Sequence, residues 1–181
     1  MNTIPIGVMW LVTAFMVEGA IIDGWKQRVP NWLTYNLAFA GLAYCTWSGG
    51  WTGLLFSLQG IAVAMSVLLV LYCVGMMGAG DVKLMGAVGA WIGPELAFGA
   101  LLCGILVGGV IGSLQILVSK DWRKNLSSLF KISRETFTYL TNPAKLRELA
   151  EERKPKIKLL PYGVPLTIGS IAYFAWEGLL F

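Results

Sequence analysis

The stretch "MMGAGDVKLMGAVGAWIGPE", Met76 to Glu95, puts an aspartate and a lysine at the start of an apolar run and a Gly-Pro pair at its end. Its surroundings decide what that means. The chain has 181 residues, of which 56% are apolar and only 13% charged, and its mean hydropathy is +0.68. An ordinary soluble domain carries about twice that share of charge. Apolar runs of about 20 residues, the length that crosses a hydrocarbon core ~30 Å thick, recur on both sides of the stretch. Working outward, the runs fall at about 4–22, 32–48, 53–75, 82–93, 95–118 and 159–180. The Gly93-Pro94 pair separates the short fourth run from the fifth as a turn.

Runs this long, without the short alternation of barrel strands, predict helices, which satisfy their own backbone groups in lipid. The expected fold is all-α: a polytopic membrane bundle of about six transmembrane helices forming one domain over residues 1–181. All 14 Lys and Arg fall beside alternate ends of the runs: Lys26 and Arg28, then Lys83, then Lys120 to Lys158. Basic residues stay cytoplasmic, so both termini are expected outside the inner membrane. The net charge of +4 is thereby a record of topology, and the absence of a basic soluble module speaks against nucleic-acid binding. Within 120–158, Trp122, Leu126, Leu129, Phe130 and Phe137 recur at helical spacing against Arg123, Lys124, Lys131 and Arg134. That pattern predicts a basic amphipathic helix drawn to anionic lipid at the cytoplasmic interface.

Several chemistries are excluded at once. The chain contains no histidine, so no His base, nucleophile or metal ligand exists. Cys45, Cys73 and Cys103 each lie within an apolar run and form no Cys-x-x-Cys pair, which suits small buried side chains. No metal site and no cofactor are expected. The first run lacks a basic leader and carries its positive charge at the far end, so it reads as a retained helix and not as a cleaved signal. Chemistry is left to carboxylates, lysine, hydroxyls and backbone.

Six of the ten acidic residues fall in loops or surface segments. Of Glu18, Asp23, Asp81 and Glu177, the two aspartates are the better placed, at helix ends of matching depth near the cytoplasmic face. Carboxylates at mid-bilayer cost about 2.5–3.5 kcal/mol to insert and are functional candidates by default. Asp81 also suits an ordinary N-cap, with water and backbone amides within reach. Asp23 sits at the unfavourable end of its helix dipole and has no such simple account. Two carboxylates sharing a proton can activate water; the same pair could instead carry protons or ions in a small transporter or an assembly subunit. Gly78 and Gly80, beside Asp81, permit close backbone approach and an extended substrate alongside. They equally suit small-residue helix packing.

Two strings carry a family resemblance. "DGWKQRVPNWLT", Asp23 to Thr34, has an Asp followed by a basic residue, an aliphatic residue, Pro and Asn. "GAGDVKL", Gly78 to Leu84, has Gly-x-Gly-Asp with a lysine two residues on. The chain resembles the type IV prepilin peptidases, membrane aspartyl proteases of the Gly-x-Gly-Asp class. The resemblance implies cleavage of the leader of prepilin-like membrane proteins at the cytoplasmic face, with Asp23 and Asp81 as the catalytic pair. Gly78 and Gly80 would form the active-site loop, and Lys83, Asn31, Pro161 and Tyr162 are candidate substrate contacts. Larger members add a leading span and a loop of zinc-binding cysteine pairs and methylate the product from S-adenosylmethionine. This chain has neither, which implies cleavage without N-methylation. Its size and plan are similar to the compact peptidases of Flp/Tad pilus systems, with the archaeal preflagellin peptidases as the alternative.

Overall fold

The computed structural model describes residues 4–26, 29–73, 77–118 and 162–180. The amphipathic helix expected within 120–158 and the candidate residue Pro161 lie outside these residues. The described part is helical, with α1 over Ile6–Lys26, α2 over Asn31–Cys73, α3 over Ala79–Val118 and α4 over Gly163–Trp176. Ile6–Trp25, Asn31–Cys73 and Ala79–Leu114 are long and apolar enough to cross a membrane, and Gly163–Trp176 is a shorter apolar helix.

At 43 and 40 residues, α2 and α3 would each be about twice as long as the hydrocarbon core is thick if straight. Neither is straight. Gly50 (φ 57°, ψ −134°) interrupts α2 and Gly93 (φ 74°, ψ −178°) interrupts α3, both in backbone conformations that side chains with a Cβ rarely adopt. Beyond Gly50 the chain turns back, since a Cβ on Gly53 would run into the carbonyl of Cys45, a residue that a continuous helix would leave about 12 Å away. Beyond Gly93 it does the same. Gly86 and Gly89, before the break, lie against Met65 and Gly60 of α2. Gly99 and Gly104, after it, lie in turn against Tyr173 and Leu166 of α4, and Gly108 against Tyr162, the residue before α4. Pro94 reinforces this break, because it has no N–H to continue the ladder. The Gly50 break falls between two expected runs and the Gly93 break on the last residue of one, although each joint is tighter than a loop.

The core is formed by α3 with one stripe from each of its neighbours, through Met16, Leu33, Leu68, Met85, Leu101 and Phe174. Polar ties cross it from side chains to backbone carbonyls. The Trp91 indole N–H donates to Leu37 O at 2.9 Å, and the Cys45 thiol donates to Ala90 O at 3.5 Å, the carbonyl that Pro94 leaves without its helical partner. Cys45 is buried as expected, whereas Cys73 is exposed and Cys103 half-buried, because helical spacing turns those two off the inward stripe. The outer surface carries large apolar side chains, including Phe39, Leu106 and Val110, and exposed tryptophans gather at its two ends. Trp25 and Trp32 mark one end, and Trp47, Trp51 and Trp176 the other. Such belts are where amphipathic rings meet membrane–water interfaces.

Candidate active site

At the Trp25/Trp32 end, α1 finishes while α2, α3 and α4 all begin. Three helix N-termini, each with amides left over from its first turn and the positive end of its dipole, are therefore at the same end as the C-terminus of α1. Asp23 is in the last turn of α1 and Asp81 in the first turn of α3. Both are buried, at 5% and 3% exposure, and they lie within electrostatic reach of each other. The burial corrects the expectation that water reaches Asp81 freely at its helix start. Packing of the 29–30 turn and of the α4 start around the pair is the reason.

Asp81 is also not the N-cap, since α3 begins at Ala79 and Asp81 is its third residue. One oxygen, Oδ2, turns back toward Gly78, where a Cβ would stand 3.4 Å from it. This is the geometry of a carboxylate reaching from the first turn toward its own cap. The other oxygen, Oδ1, is buried with no partner among the described residues. An acceptor left so in an apolar bundle costs stability, and such exceptions call for a functional explanation.

Asp23 is held from across the chain. The backbone N–H of Gly163, at the start of α4, donates to Asp23 Oδ2 at 3.2 Å in a buried contact. Tyr162 supplies no side-chain cap, so a carboxylate of α1 satisfies an amide of the first turn of α4. The sequence reading missed Gly163. The only signal was its place in "LPYGVP", between Tyr162 and a proline that a first helical turn tolerates.

The glycine strings are placed, with a shift of emphasis. A Cβ on Gly80 would lie 3.1 Å from both the Cβ and the backbone N of Val29, so the 29–30 turn covers Gly80 and seats the first motif on the second. A substrate strand finds that face of Gly80 occupied; Gly78, in front of Asp81, is the less covered of the two. Pro30 then starts α2, its carbonyl accepting from Leu33 N at 3.2 Å and Thr34 N at 3.5 Å. At the rim, Lys83 Nζ donates to Asn31 Oδ1 at 3.0 Å and stands 5.3 Å from the ring centre of Tyr35, a partner the sequence did not suggest. These contacts clip the starts of α2 and α3 together. Tyr162 packs its ring against Gly108, where a Cβ would stand 3.1 Å away. Glu18 does not join the pair: it lines an open groove on α1 with Trp10, Ala14, Val17 and Ile21.

The arrangement buries two sequence-distant carboxylates at one end of the bundle, with one oxygen anchored and one unpartnered among the described residues. The family model described as the type IV leader peptidase family matches residues 10–113, more than half of the chain and inclusive of both aspartates. The chain belongs to the type IV leader peptidase family. It is 32% identical over 112 residues to the prepilin leader peptidase/N-methyltransferase of Neisseria gonorrhoeae, a match over 56% of this chain and 39% of that protein. No solved structure gives a significant match. As a leader peptidase family member with long apolar helices, the chain is a membrane protein. Gly163, which anchors Asp23, lies beyond the region that the family model covers.

Proposed function

We propose that this chain is an aspartyl endopeptidase that removes the leader of Flp-like type IV prepilins at the cytoplasmic face of the inner membrane, with Asp23 and Asp81 as its catalytic pair. The observation that carries this reading is the convergence of the two buried carboxylates at one end of the bundle, Asp23 tied to Gly163 and Asp81 Oδ1 left without a partner. Because Asp23 Oδ2 accepts the Gly163 N–H, Oδ1 is the Asp23 oxygen freer to carry and donate a proton. In the proposed reaction the unpartnered Asp81 Oδ1 takes a proton from a water as its oxygen attacks the scissile carbonyl carbon. Asp23 Oδ1 gives its proton to the carbonyl oxygen, forming a tetrahedral diol. Collapse of that intermediate breaks the C–N bond, with Asp81 returning its proton to the departing amine and Asp23 recovering one from the diol hydroxyl. Lys83 and Asn31 at the rim, Tyr162 before α4 and Gly78 before Asp81 are the contacts proposed for an incoming leader.

The reversals at Gly50 and Gly93 support a six-crossing bundle with both termini outside, since four helices then fill six passes. The segregation of the 14 Lys and Arg supports the orientation, with the carboxylates inside and the basic 120–158 segment against anionic lipid. The three cysteines, none in a Cys-x-x-Cys pair, support cleavage without N-methylation. Purified chain in lipid, incubated with a Flp-type prepilin, tests all of this. Mass spectrometry should find the leader removed and the new N-terminus unmethylated, and cysteines introduced at Ser48 and Glu95 should label from outside, one at Ala79 only after permeabilisation. An intact prepilin would end the peptidase reading, and a proton or ion flux abolished by Asp81→Asn would replace it with transport.

A further inference from the structure

We propose that Gly163 is a positioning residue of the aspartate pair, acting through two properties that no other residue combines at that place: a backbone N–H aimed at Asp23 and the lack of a Cβ. The N–H donates to Asp23 Oδ2 at 3.2 Å. A Cβ on Gly163 would lie 2.8 Å from that same oxygen, closer than real Cβ contacts come, and 3.2 Å from Asp23 Cβ and Cγ, tighter than most, so the short Asp23 side chain would have to shift. Its φ is helical, so the restriction comes from Asp23 and not from backbone strain. Substituting any other residue therefore pushes the Asp23 carboxyl off its anchor.

The rest of the seam is built to hold this register. Thr167 Oγ1 donates to Met16 O at 3.2 Å, Ser170 Oγ donates to Ala100 O at 3.4 Å, and Gly104 admits Leu166, with a Cβ there 2.7 Å from the leucine side chain. The start of α4 is thus set against both α1 and the second half of α3. A carboxylate on a bare helix C-terminus would be free to choose rotamers, whereas one shared with the N-terminus of α4 has a single place to stand. Catalytic pairs depend on that: a displacement of ~1 Å can lower the rate about 10²-fold.

The inference rests on the peptidase reading for its kinetic consequence but not for its structural one. In the lipid-reconstituted full chain, Gly163→Ala is expected to lower kcat for prepilin cleavage about 10²-fold with KM nearly unchanged. Thr167→Val, which loosens the same seam without touching Asp23, should keep kcat within about threefold. The infrared carboxyl band that disappears in Asp23→Asn should shift in Gly163→Ala and stay in place in Thr167→Val. With glycine labelled by 15N, exchange of the Gly163 amide should accelerate in Asp23→Ala and not in Asp81→Ala, a measurement that needs neither a folded Gly163 variant nor any activity. A folded Gly163→Ala with parental kcat and an unmoved band overturns the proposal, as does a Gly163 amide indifferent to Asp23→Ala. If the parent cleaves no prepilin, the peptidase reading fails while the band and the amide still decide this one.

Discussion

Asp23 and Glu18 stand less than two turns apart on α1, and the bundle treats them in opposite ways. Asp23 is on the inward stripe with Met9, Val12, Met16 and Ala20, buried and tied to Gly163. Glu18 is on the outward stripe among Trp10, Val17 and Ile21, exposed in an open groove. Helix geometry alone separates them, since residues five apart point roughly 140° away from one another. The comparison shows that an acidic residue in an apolar run is a candidate by cost, and that it becomes a site only where other elements bring it partners. The inward one gains a second carboxylate, an amide and a water-poor setting; the outward one gains none of these from the described residues.

The largest effect that could break this contrast is loss of the inward carboxylates. Asp23→Asn and Asp81→Asn are each expected to lower cleavage by about 10²–10⁴-fold or more, the range of a general acid or base. The fold should survive, because Asn at 23 still accepts the Gly163 N–H and Asn at 81 keeps the volume. Cleavage by purified, correctly inserted variants measures the loss, with thermal unfolding alongside. A folded Asp23→Asn with near-parental activity would put Asp23 on the same footing as Glu18.

An intermediate effect sharpens the boundary of the site. Lys83→Met removes the bond to Asn31 and the cation over Tyr35, loosening the joint between the starts of α2 and α3 while leaving both aspartates in place. We expect a loss of about 3- to 10-fold in kcat/KM for a prepilin, read from initial rates. A loss as large as that of Asp81→Asn would make Lys83 part of the chemistry.

The smallest effect belongs to the outward face. Glu18→Gln should leave cleavage within about twofold of the parent and stability within about 0.5 kcal/mol, as for a surface change away from caps, pairs and core. Parallel rate and unfolding measurements check both, and a loss matching that of Asp23→Asn would erase the difference between the two faces.

Composition and spacing were enough to read a helical membrane protein, because lipid demands long apolar runs and helices are what satisfy the backbone within them. The two aspartates and the glycines beside Asp81 were legible for a related reason: each breaks a pattern that lipid otherwise enforces. The joint at Gly93 was half legible, as a Gly-Pro turn signal, and that at Gly50 only as the gap between two apolar runs; the tightness of both depended on backbone geometry. Tertiary structure decided what periodicity cannot encode. It turned Asp23 inward and Glu18 outward, closed the pair off from water, seated Val29 on Gly80, joined Lys83 to Asn31 and Tyr35, and delivered an amide from Gly163, 140 residues along the chain, to Asp23. Contacts so distant leave no local mark on a sequence, because a hydrogen bond to a backbone N–H constrains where a residue lies and hardly at all which residue donates it; only the missing Cβ of Gly163 carries a trace, and its meaning requires knowing what stands opposite.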